Sequence, residues 1–399
     1  MSTSLGLIDS IKSKPSNMLF TLAFILSVVG MFTLIGNKQG FLFIIGSALG
    51  LVLFQASFGF TAGFTHIIST RRTQQLRAQM LMLMAASVIM LPMFAQGEFN
   101  GTTLSGKLTP ISTAMAAGAF IFGMGMQLGG GCASGTLAYL GSGSLRMGIT
   151  LTGFIIGSLI GTFHFPWWSE LPSLGRFSMI HDWGLVTAIL VNLGIAGGLW
   201  LIFLAIEKRV HGNTNPVNNK VEQKKSGFLA NNWPLLLAAL LLALLNLATL
   251  MVKGKPWGVT SGFALWGAKI FAFLGGDLSG YEYWQKASWA KALTAPVLKH
   301  STSVMNIGLV FGIWWAAKLS NKMSVSYKAS AMLIFRLVLG GLLLGYGARL
   351  ASGCNIGAYF SGIASGSLHG WVWFAVAAIG NFVGFKLKNS WLADRQPAT

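Results

Sequence analysis

The chain contains two cysteines, and each lies in a glycine-rich stretch. Cys132 is set in GGGCASG (129–135) and Cys354 in ASGCNIG (351–357). Both stretches interrupt apolar helices, and irregular backbone at membrane depth is tolerated only where it is buried in protein or lines a polar path. A neutral thiol is a weak donor but a soft, polarizable contact for sulfur. The two stretches therefore predict a path on which a sulfur-bearing anion meets two thiols.

The two thiols allow more than one chemistry. If they stay protonated, they can pass a sulfur-bearing anion onward through weak S–H···S contacts. Weak contacts suit a permeation site, because such a site must release its ligand. A thiolate would instead repel the anion. Alternatively, Cys132 and Cys354 form a disulfide or a persulfide in a membrane thiol oxidoreductase or sulfurtransferase. No C-x-x-C, quinone or haem motif accompanies them. A membrane cysteine can also be small apolar filler, but the setting of both thiols in glycine-rich breaks favours a functional role. We predict a permease, not an enzyme.

Polar side chains and glycines near the two breaks complete the candidate path. A short helix is predicted to begin near Ala133 and another near Asn355, each turning its unpaired N–H groups and positive end toward the thiol. The amide and hydroxyl side chains could instead form interhelical hydrogen bonds, and Arg349 could attract anions, snorkel to the interface or cap carbonyl groups. The predicted path residues are Cys132, Cys354, Gly131, Gly353, Ser134, Asn355, Gly135, Gly357, Gly59, Thr61, Ser261, Gln55, Gln127 and Arg349.

Other kinds of site leave no trace in the sequence. There is no Walker loop, H-E-x-x-H or G-x-S-x-G motif, and no His/Cys cluster has zinc-ligand spacing. All 9 acidic residues lie in tails, loops or span ends. A cation pump or proton-coupled carrier normally keeps a carboxylate inside its bundle, so this distribution favours an anionic substrate. We predict no catalytic residue, no metal and no cofactor.

The composition is that of a multi-pass membrane protein. Apolar residues make up 53% of the 399 residues and charged residues 9%. Apolar stretches long enough to cross a bilayer as helices recur along the whole chain. We predict ten spans near 18–36, 40–56, 77–95, 111–131, 146–164, 183–206, 230–252, 303–318, 330–352 and 368–386. The net charge of +19 is then explained by basic loops next to membrane lipid, and no nucleic acid partner is expected.

The basic loops predict the orientation in a bacterial inner membrane. Both termini are expected in the cytoplasm, because the positive-inside rule is then satisfied by 12–14, 71–77, 207–225, 318–328 and 386–388. His66, His164 and His369 are expected near the membrane interfaces. The predicted organisation is an N-terminal span at 1–37, a first repeat plus linking span at 38–206, a cytoplasmic linker at 207–227, and a second, inverted repeat at 228–399.

The two halves of the chain repeat each other. A shift of 222 residues, the separation of the cysteines, places Gly118 on Gly340 and Gly125 on Gly347. The loop charges indicate that equivalent helices run in opposite directions, which is an inverted repeat. The segments 54–66 and 259–271 also correspond, and they are predicted as short re-entrant or broken helices. The predicted fold is an all-α polytopic membrane protein whose broken helices form an hourglass.

The pair of G-C-x-x-G breaks and the stretch GARLASGCNIGAYFSGIASGSLHGW (347–371) resemble the YeeE/YedE family of sulfur-transport membrane proteins. The resemblance implies uptake of thiosulfate, or of a related sulfur or selenium compound, past two central cysteines at the positions of Cys132 and Cys354. It also implies donation to a cytoplasmic sulfur-carrier protein of the TusA type. Many members have a third cysteine where this chain has Gly59, which leaves two thiols for the relay.

Overall fold

The computed structural model describes residues 15–218, 232–390 and 392, with side chains from Asn17 onward. Part of the predicted linker and both chain ends lie outside these residues. Within them, ten helical segments are long and apolar enough to cross a membrane. Each overlaps one of the predicted spans, so the prediction of an all-α polytopic membrane protein is confirmed.

The described residues of the first half form nine helices and four short strands. A π-helical turn, Met31–Ile35, follows α1. The elements are α1 (Pro15–Gly30), α2 (Asn37–Gln55), α3 (Phe60–Ser69), α4 (Gln74–Gln96), β1 (Glu98–Phe99), β2 (Thr102–Thr103), β3 (Pro110–Ser112), α5 (Thr113–Gly129), α6 (Ala133–Gly141), α7 (Arg146–Glu170), β4 (Ser173–Arg176), α8 (Met179–Trp183) and α9 (Leu185–His211). The strands pair as two antiparallel ribbons, β1 with β2 and β3 with β4.

The second half contains helices only among the residues described. A 3₁₀ turn (Val297–Lys299) precedes its third long helix, and a π-helical segment (Asn355–Phe360) follows Cys354. The α-helices are α10 (Leu235–Lys253), α11 (Thr260–Phe273), α12 (Glu282–Gln285), α13 (Ala287–Thr294), α14 (Ser301–Leu319), α15 (Ala331–Leu350), α16 (Ser361–Ala364) and α17 (His369–Asn389).

Helix packing follows the predicted repeat and interlocks the halves. Helix α7 packs on α15, and the equivalent pair under the repeat is α17 on α5. Helix α2 packs on α14, and its equivalent pair is α10 on α4. Helices α5 and α15, which are equivalent to each other, also pack together. Helix α1 packs on α14 as the linking helix α9 packs on α4. Each half thus has five spans, and an odd number places equivalent spans antiparallel.

Glycines bring the interlocked helices into backbone contact. A Cβ atom at Gly46 of α2 would collide with the carbonyl of Met305, and one at Gly308 of α14 with the carbonyl of Phe43. A side chain at Gly380 would likewise meet the α5 backbone. Because lipid provides no hydrophobic drive between helices, small residues that allow close van der Waals packing are what hold such a bundle together.

The two ends of the bundle are marked by equivalent turns. At one end the 142–144 turn hydrogen-bonds to the 320–330 loop, through Ser324 N–H to the Ser142 carbonyl and Ser326 N–H to the Gly143 carbonyl. We call this the Lys322 end. At the other end Lys107 N–H donates to Ser365 Oγ at 2.9 Å. We call this the Lys107 end.

One buried ion cluster ties α9 to α4 at the Lys322 end. Glu207 is fully buried and accepts from Arg77 Nη2 at 2.9 Å and Arg72 Nη1 at 3.2 Å. Its carboxylate also accepts from the Thr73 hydroxyl at 2.7 Å and from Asn215 N–H at 3.0 Å. Burying a carboxylate is tolerated where such charged and hydrogen-bonding partners satisfy it. The cluster lies at the end of its span, away from the cysteines.

Candidate functional site

A cavity of about 430 Å³ opens toward the Lys322 end and is lined by the N-terminal residues of α3 and α6. We call it the Cys132 cavity. Its lining also includes Lys322, Lys388 and Asn232, and Lys322 Nζ donates to Asn232 Oδ1 at 2.7 Å. The predicted path residues that line it are Cys132, Gly131, Ser134, Gly135, Gly59, Thr61 and Gln127.

A second cavity, of about 500 Å³, opens toward the Lys107 end. We call it the Arg349 cavity. It is lined by the 254–259 loop, the start of α11 and the break before the π-helical segment. The predicted path residues that line it are Gly353, Gly357, Ser261 and Arg349. Equivalent broken elements of the two repeats therefore face two separate cavities.

The cysteines lie between the two cavities. Cys132 lines one cavity with 1% of its surface exposed, whereas Cys354 is fully buried and lines neither. Its neighbour Gly353 lines the Arg349 cavity. The segment around the thiols therefore forms the waist of an hourglass.

The breaks depend on glycines with backbone angles that other residues rarely adopt. Gly130 ends α5 with φ of 78°, and Gly353 has φ of 158°. A Cβ atom at Gly353 would also lie 2.7 Å from the backbone nitrogen of Ala358. Cys132 and Cys354 follow in extended conformations and precede the next helical turn. The glycines thus place each cysteine at a helix start.

Hydrogen bonds at the two helix starts differ in pattern. Cys132 Sγ lies 3.5 Å from Ser134 Oγ, and Thr136 N–H donates to the Cys132 carbonyl at 2.8 Å in an α-helical turn. After Cys354 the turn is π-helical, with Ala358 N–H at 2.8 Å and Tyr359 N–H at 3.4 Å from the Cys354 carbonyl. At each helix start the first N–H groups after the cysteine have no helical carbonyl to donate to.

Arg349 places a buried positive charge at the wall of its cavity. The residue is 8% exposed, and its guanidinium donates to the Tyr283 hydroxyl at 2.8 Å and to Thr260 Oγ1 at 3.0 Å. Among the described residues it forms no ion pair with a carboxylate. Both contacts are to hydroxyl groups, and they leave the guanidinium with a charge that can attract an anion.

Three lysines also line the Arg349 cavity, and the sequence alone does not single them out. Lys107, Lys253 and Lys255 come from two loops and the end of α10. No carboxylate is present in this lining. Burial and the nearby charges of Arg349 and Lys255 lower the pKa of Lys107 to about 8. Loss of water and neighbouring cations both disfavour the charged form of a lysine.

His300 lines the same cavity without adding charge at neutral pH. Burial, with Lys253 and Lys269 nearby, lowers the pKa of its imidazole to about 4. Its Nδ1 accepts from Ser303 N–H at 3.3 Å and lies 2.9 Å from Ser303 Oγ. The neutral ring therefore caps the start of α14, and the positive charge of the cavity comes from its lysines and its arginine.

Two buried side chains hold the 254–259 loop against the cavity. Asn246 Oδ1 accepts from Trp257 N–H at 2.8 Å, and Ser361 Oγ donates to the Trp257 carbonyl at 2.7 Å. Asn246 Nδ2 in turn lies 3.4 Å from Ser361 Oγ. Since this loop leads directly into α11, the three contacts fix the direction in which the first turn of α11 points.

The remaining predicted residues are placed less directly on the path. Gln127 Nε2 donates to Asn381 Oδ1 at 2.8 Å, so its amide joins two helices while also lining the Cys132 cavity. Gln55 and Asn355 are buried and line neither cavity. His369 is the first residue of the last span, and it is fully buried with Nδ1 2.6 Å from Ser367 Oγ.

Comparison with known proteins gives this architecture a family. The model of the family described as "Sulphur transport" matches residues 55–383, which contain both cysteines and both cavities' broken helices. The chain belongs to this family. The resemblance seen in the glycine–cysteine motifs is thereby confirmed.

Members of the sulphur transport family with curated names cover the chain to different extents. The thiosulfate transporter TsuA of Escherichia coli (strain K12) is 26% identical over 89% of this chain and 94% of its own length. The probable transporters YedE of E. coli (strain K12) and Salmonella typhimurium (strain LT2) are 29% and 31% identical. The chain matches only 40% and 39% of the length of these two YedE proteins. All three relatives are named as transporters, not as enzymes.

Proposed function

We propose that the protein is a permease of the bacterial inner membrane that takes up a sulfur-containing anion, with thiosulfate as the substrate. With both termini in the cytoplasm, the Lys322 end faces the cytoplasm, as the positive-inside rule favours. The Lys107 end then faces outward. One observation supports the proposal most strongly. Two cavities lie on either side of two cysteine thiols, and the described residues of their linings include cations and no carboxylate.

The Arg349 cavity would collect the anion by charge. Three lysines and a buried arginine face a space large enough for a hydrated or partly hydrated dianion. Charges at partly desolvated walls attract an anion more strongly than charges in bulk water do. The first turn of α11, held toward the cavity by Asn246 and Ser361, adds backbone N–H groups of the kind that favour anions.

The waist would select for sulfur. The terminal sulfur of thiosulfate is a soft acceptor, and a protonated thiol is a weak, soft donor to it. Cys354 and then Cys132 would each hold the sulfur briefly, and neither carries a positive charge that would trap a dianion. Weak, successive sites are what permeation requires. This relay needs both thiols to be protonated.

The Cys132 cavity would release the anion toward the cytoplasm. Of the described residues, Lys322 and Lys388 are the cations that line it, fewer than the four at the outer side. Moving a dianion inward against the membrane potential costs about 4.6 kcal/mol per 100 mV. Rapid consumption by a cytoplasmic sulfur carrier of the TusA type would supply that pull. A selenium analogue is the alternative substrate.

The name of the E. coli relative supports thiosulfate over other sulfur anions, because the match covers 94% of that thiosulfate transporter. The test is uptake of radiolabelled thiosulfate into proteoliposomes containing the purified protein. Sulfate is the discriminating control, since it has the same charge but no soft terminal sulfur. We expect thiosulfate uptake well above protein-free vesicles and no sulfate uptake. Equal transport of both anions would contradict selection by thiols, and no uptake of either would contradict the permease.

A further inference from the structure

The π-helical segment after Cys354 connects the walls of the two cavities. Gly357 lines the Arg349 cavity. Two residues later, the ring of Tyr359 lies 6.5 Å from the ring of Phe60, which lines the Cys132 cavity. Asn355 and Tyr359 themselves are fully buried and line neither cavity. They lie on one segment that bridges the waist.

The polar atoms of Asn355 and Tyr359 have no hydrogen-bond partner in the described part of the chain. The atoms without a partner are Asn355 Nδ2 and Oδ1 and the Tyr359 hydroxyl. Trp373 Nε1, on the ring beside Tyr359, also has no partner among the described residues. The Tyr359 ring stacks 6.2 Å from that of Trp373 and 5.0 Å from that of Phe374. Buried polar groups are nearly always paired, because leaving them unpaired is costly. Several unpaired donors on this one buried segment and beside it therefore suggest a role in binding a polar ligand.

The donors are neutral, and so is the segment that carries them. Residues 350–368 contain no charged side chain. In the second repeat Asn355 follows the cysteine, whereas Ala133 occupies the equivalent position in the first. The donors are therefore a feature of one side of the waist. A thiol suits the sulfur of the anion but is a poor donor to its hard oxygen atoms. Oxygen atoms that lose water at the waist therefore need N–H and O–H donors.

We propose that Asn355 and Tyr359 form a neutral oxygen-binding step, which holds the oxygen atoms of the oxyanion while the thiols hold its sulfur. The proposal rests on the proposed function and adds two specificity-determining residues to it. Neutral donors replace part of the hydration shell without trapping the dianion, as carbonyl groups do for cations in channel filters. No covalent step is involved.

Two substitutions test this step in proteoliposomes with radiolabelled thiosulfate. Tyr359→Phe removes the hydroxyl and keeps the stacked ring, and Asn355→Ala removes the amide. Both should lower the maximal uptake rate about tenfold, with little change in KM, because loading at the Arg349 cavity precedes the step. Asn355→Ser, which retains one donor, should recover part of the rate. Tyr327→Phe is the matched control on an exposed tyrosine and should transport as the wild type does.

Thermal stability in detergent separates this role from a structural one. Removing an unsatisfied buried hydroxyl should leave the melting temperature of Tyr359→Phe unchanged or raise it, so slower uptake in an equally stable variant supports the proposal. A lower melting temperature with unchanged uptake would show a hydroxyl satisfied by structural water and would overturn it. Wild-type rates in both variants would also overturn it while leaving the permease intact. An inactive wild-type protein would overturn both.

Discussion

A Cβ atom at Gly118 would lie 2.7 Å from the carbonyl oxygen of Gly347, and one at Gly347 would lie 2.6 Å from the carbonyl oxygen of Gly118. These residues belong to α5 and α15, the helices that end at the two cysteine breaks. Under the repeat, Gly118 corresponds to Gly340 and Gly347 to Gly125, and Gly125 and Gly340 also face each other. The pseudo-two-fold axis therefore passes through the α5–α15 crossing, which sets the spacing of the two thiols.

Adding a methyl group at this crossing should destabilise the protein and disturb the waist. We expect Gly118→Ala to cost about 1–3 kcal/mol of unfolding free energy through overpacking against backbone that cannot move aside. Gly194→Ala on α9 is the control, since nothing lies within 4 Å of its Cβ position. Melting temperatures of the two variants in detergent should differ by several degrees. Equal melting temperatures would mean that the crossing is looser than described.

Arg349 should govern how tightly the outer cavity holds its substrate. Arg349→Gln removes the buried charge but retains donors for Tyr283 and Thr260. We expect KM for thiosulfate to rise about tenfold, as befits the loss of a charged hydrogen-bond partner, with a smaller change in the maximal rate. Lys291→Gln removes an exposed charge at the same end outside the cavity lining and should change KM little. A similar KM shift in both variants would show that only net charge matters.

Uptake should weaken at alkaline pH because of Lys107. Its pKa is lowered to about 8, so the ammonium is present at pH 7 and is lost as the pH rises through 8. Thiosulfate keeps both charges over this range, so KM should rise between pH 7 and 9. In Lys107→Gln, KM should be higher at pH 7 and should rise less steeply to pH 9 than in the wild type, with Lys253 of the same lining still able to lose its proton. Because a bound dianion favours the protonated lysine, saturating substrate should move the wild-type transition to higher pH. If KM of Lys107→Gln rose with pH as steeply as that of the wild type, another group would be responsible for the titration.

The Glu207 cluster should matter for folding and not for selectivity. Glu207→Gln leaves the buried Arg77 without its carboxylate partner, a change expected to cost about 3–5 kcal/mol. The measurement is the yield of monodisperse protein and its melting temperature. Glu170→Gln at the exposed end of α7 serves as the control. If the surviving Glu207→Gln protein showed a changed preference between thiosulfate and sulfate, the cluster would have a second role near the path.

The spans and the repeat are predictable from sequence because each rests on a local signal. An apolar run of membrane-crossing length identifies a helix wherever it packs, and glycines in register reveal the repeat without knowledge of contacts. The same logic places a break before Cys132 and before Cys354. All ten spans and both breaks appear in the structure.

The cations of the Arg349 cavity are not predictable in this way. Lys107 and Lys255 belong to loops separated by more than 140 residues, and only the fold shows that they share a wall. Ser105 N–H donates to the Gly254 carbonyl at 2.8 Å and joins those loops. Tyr359 is missed for a related reason. In sequence it is one aromatic residue among many, and only its buried, unpartnered hydroxyl distinguishes it.

The central claim is that both thiols carry the substrate, and growth tests it most directly. Sulfur-auxotrophic cells without their own uptake systems would be supplied with thiosulfate as sole sulfur source. Wild-type protein would be compared with Cys132→Ala and Cys354→Ala at matched membrane expression. We predict growth with the wild type and its loss in both variants. Growth of the alanine variants equal to that of the wild type would show that the cysteines only fill space and would contradict the relay.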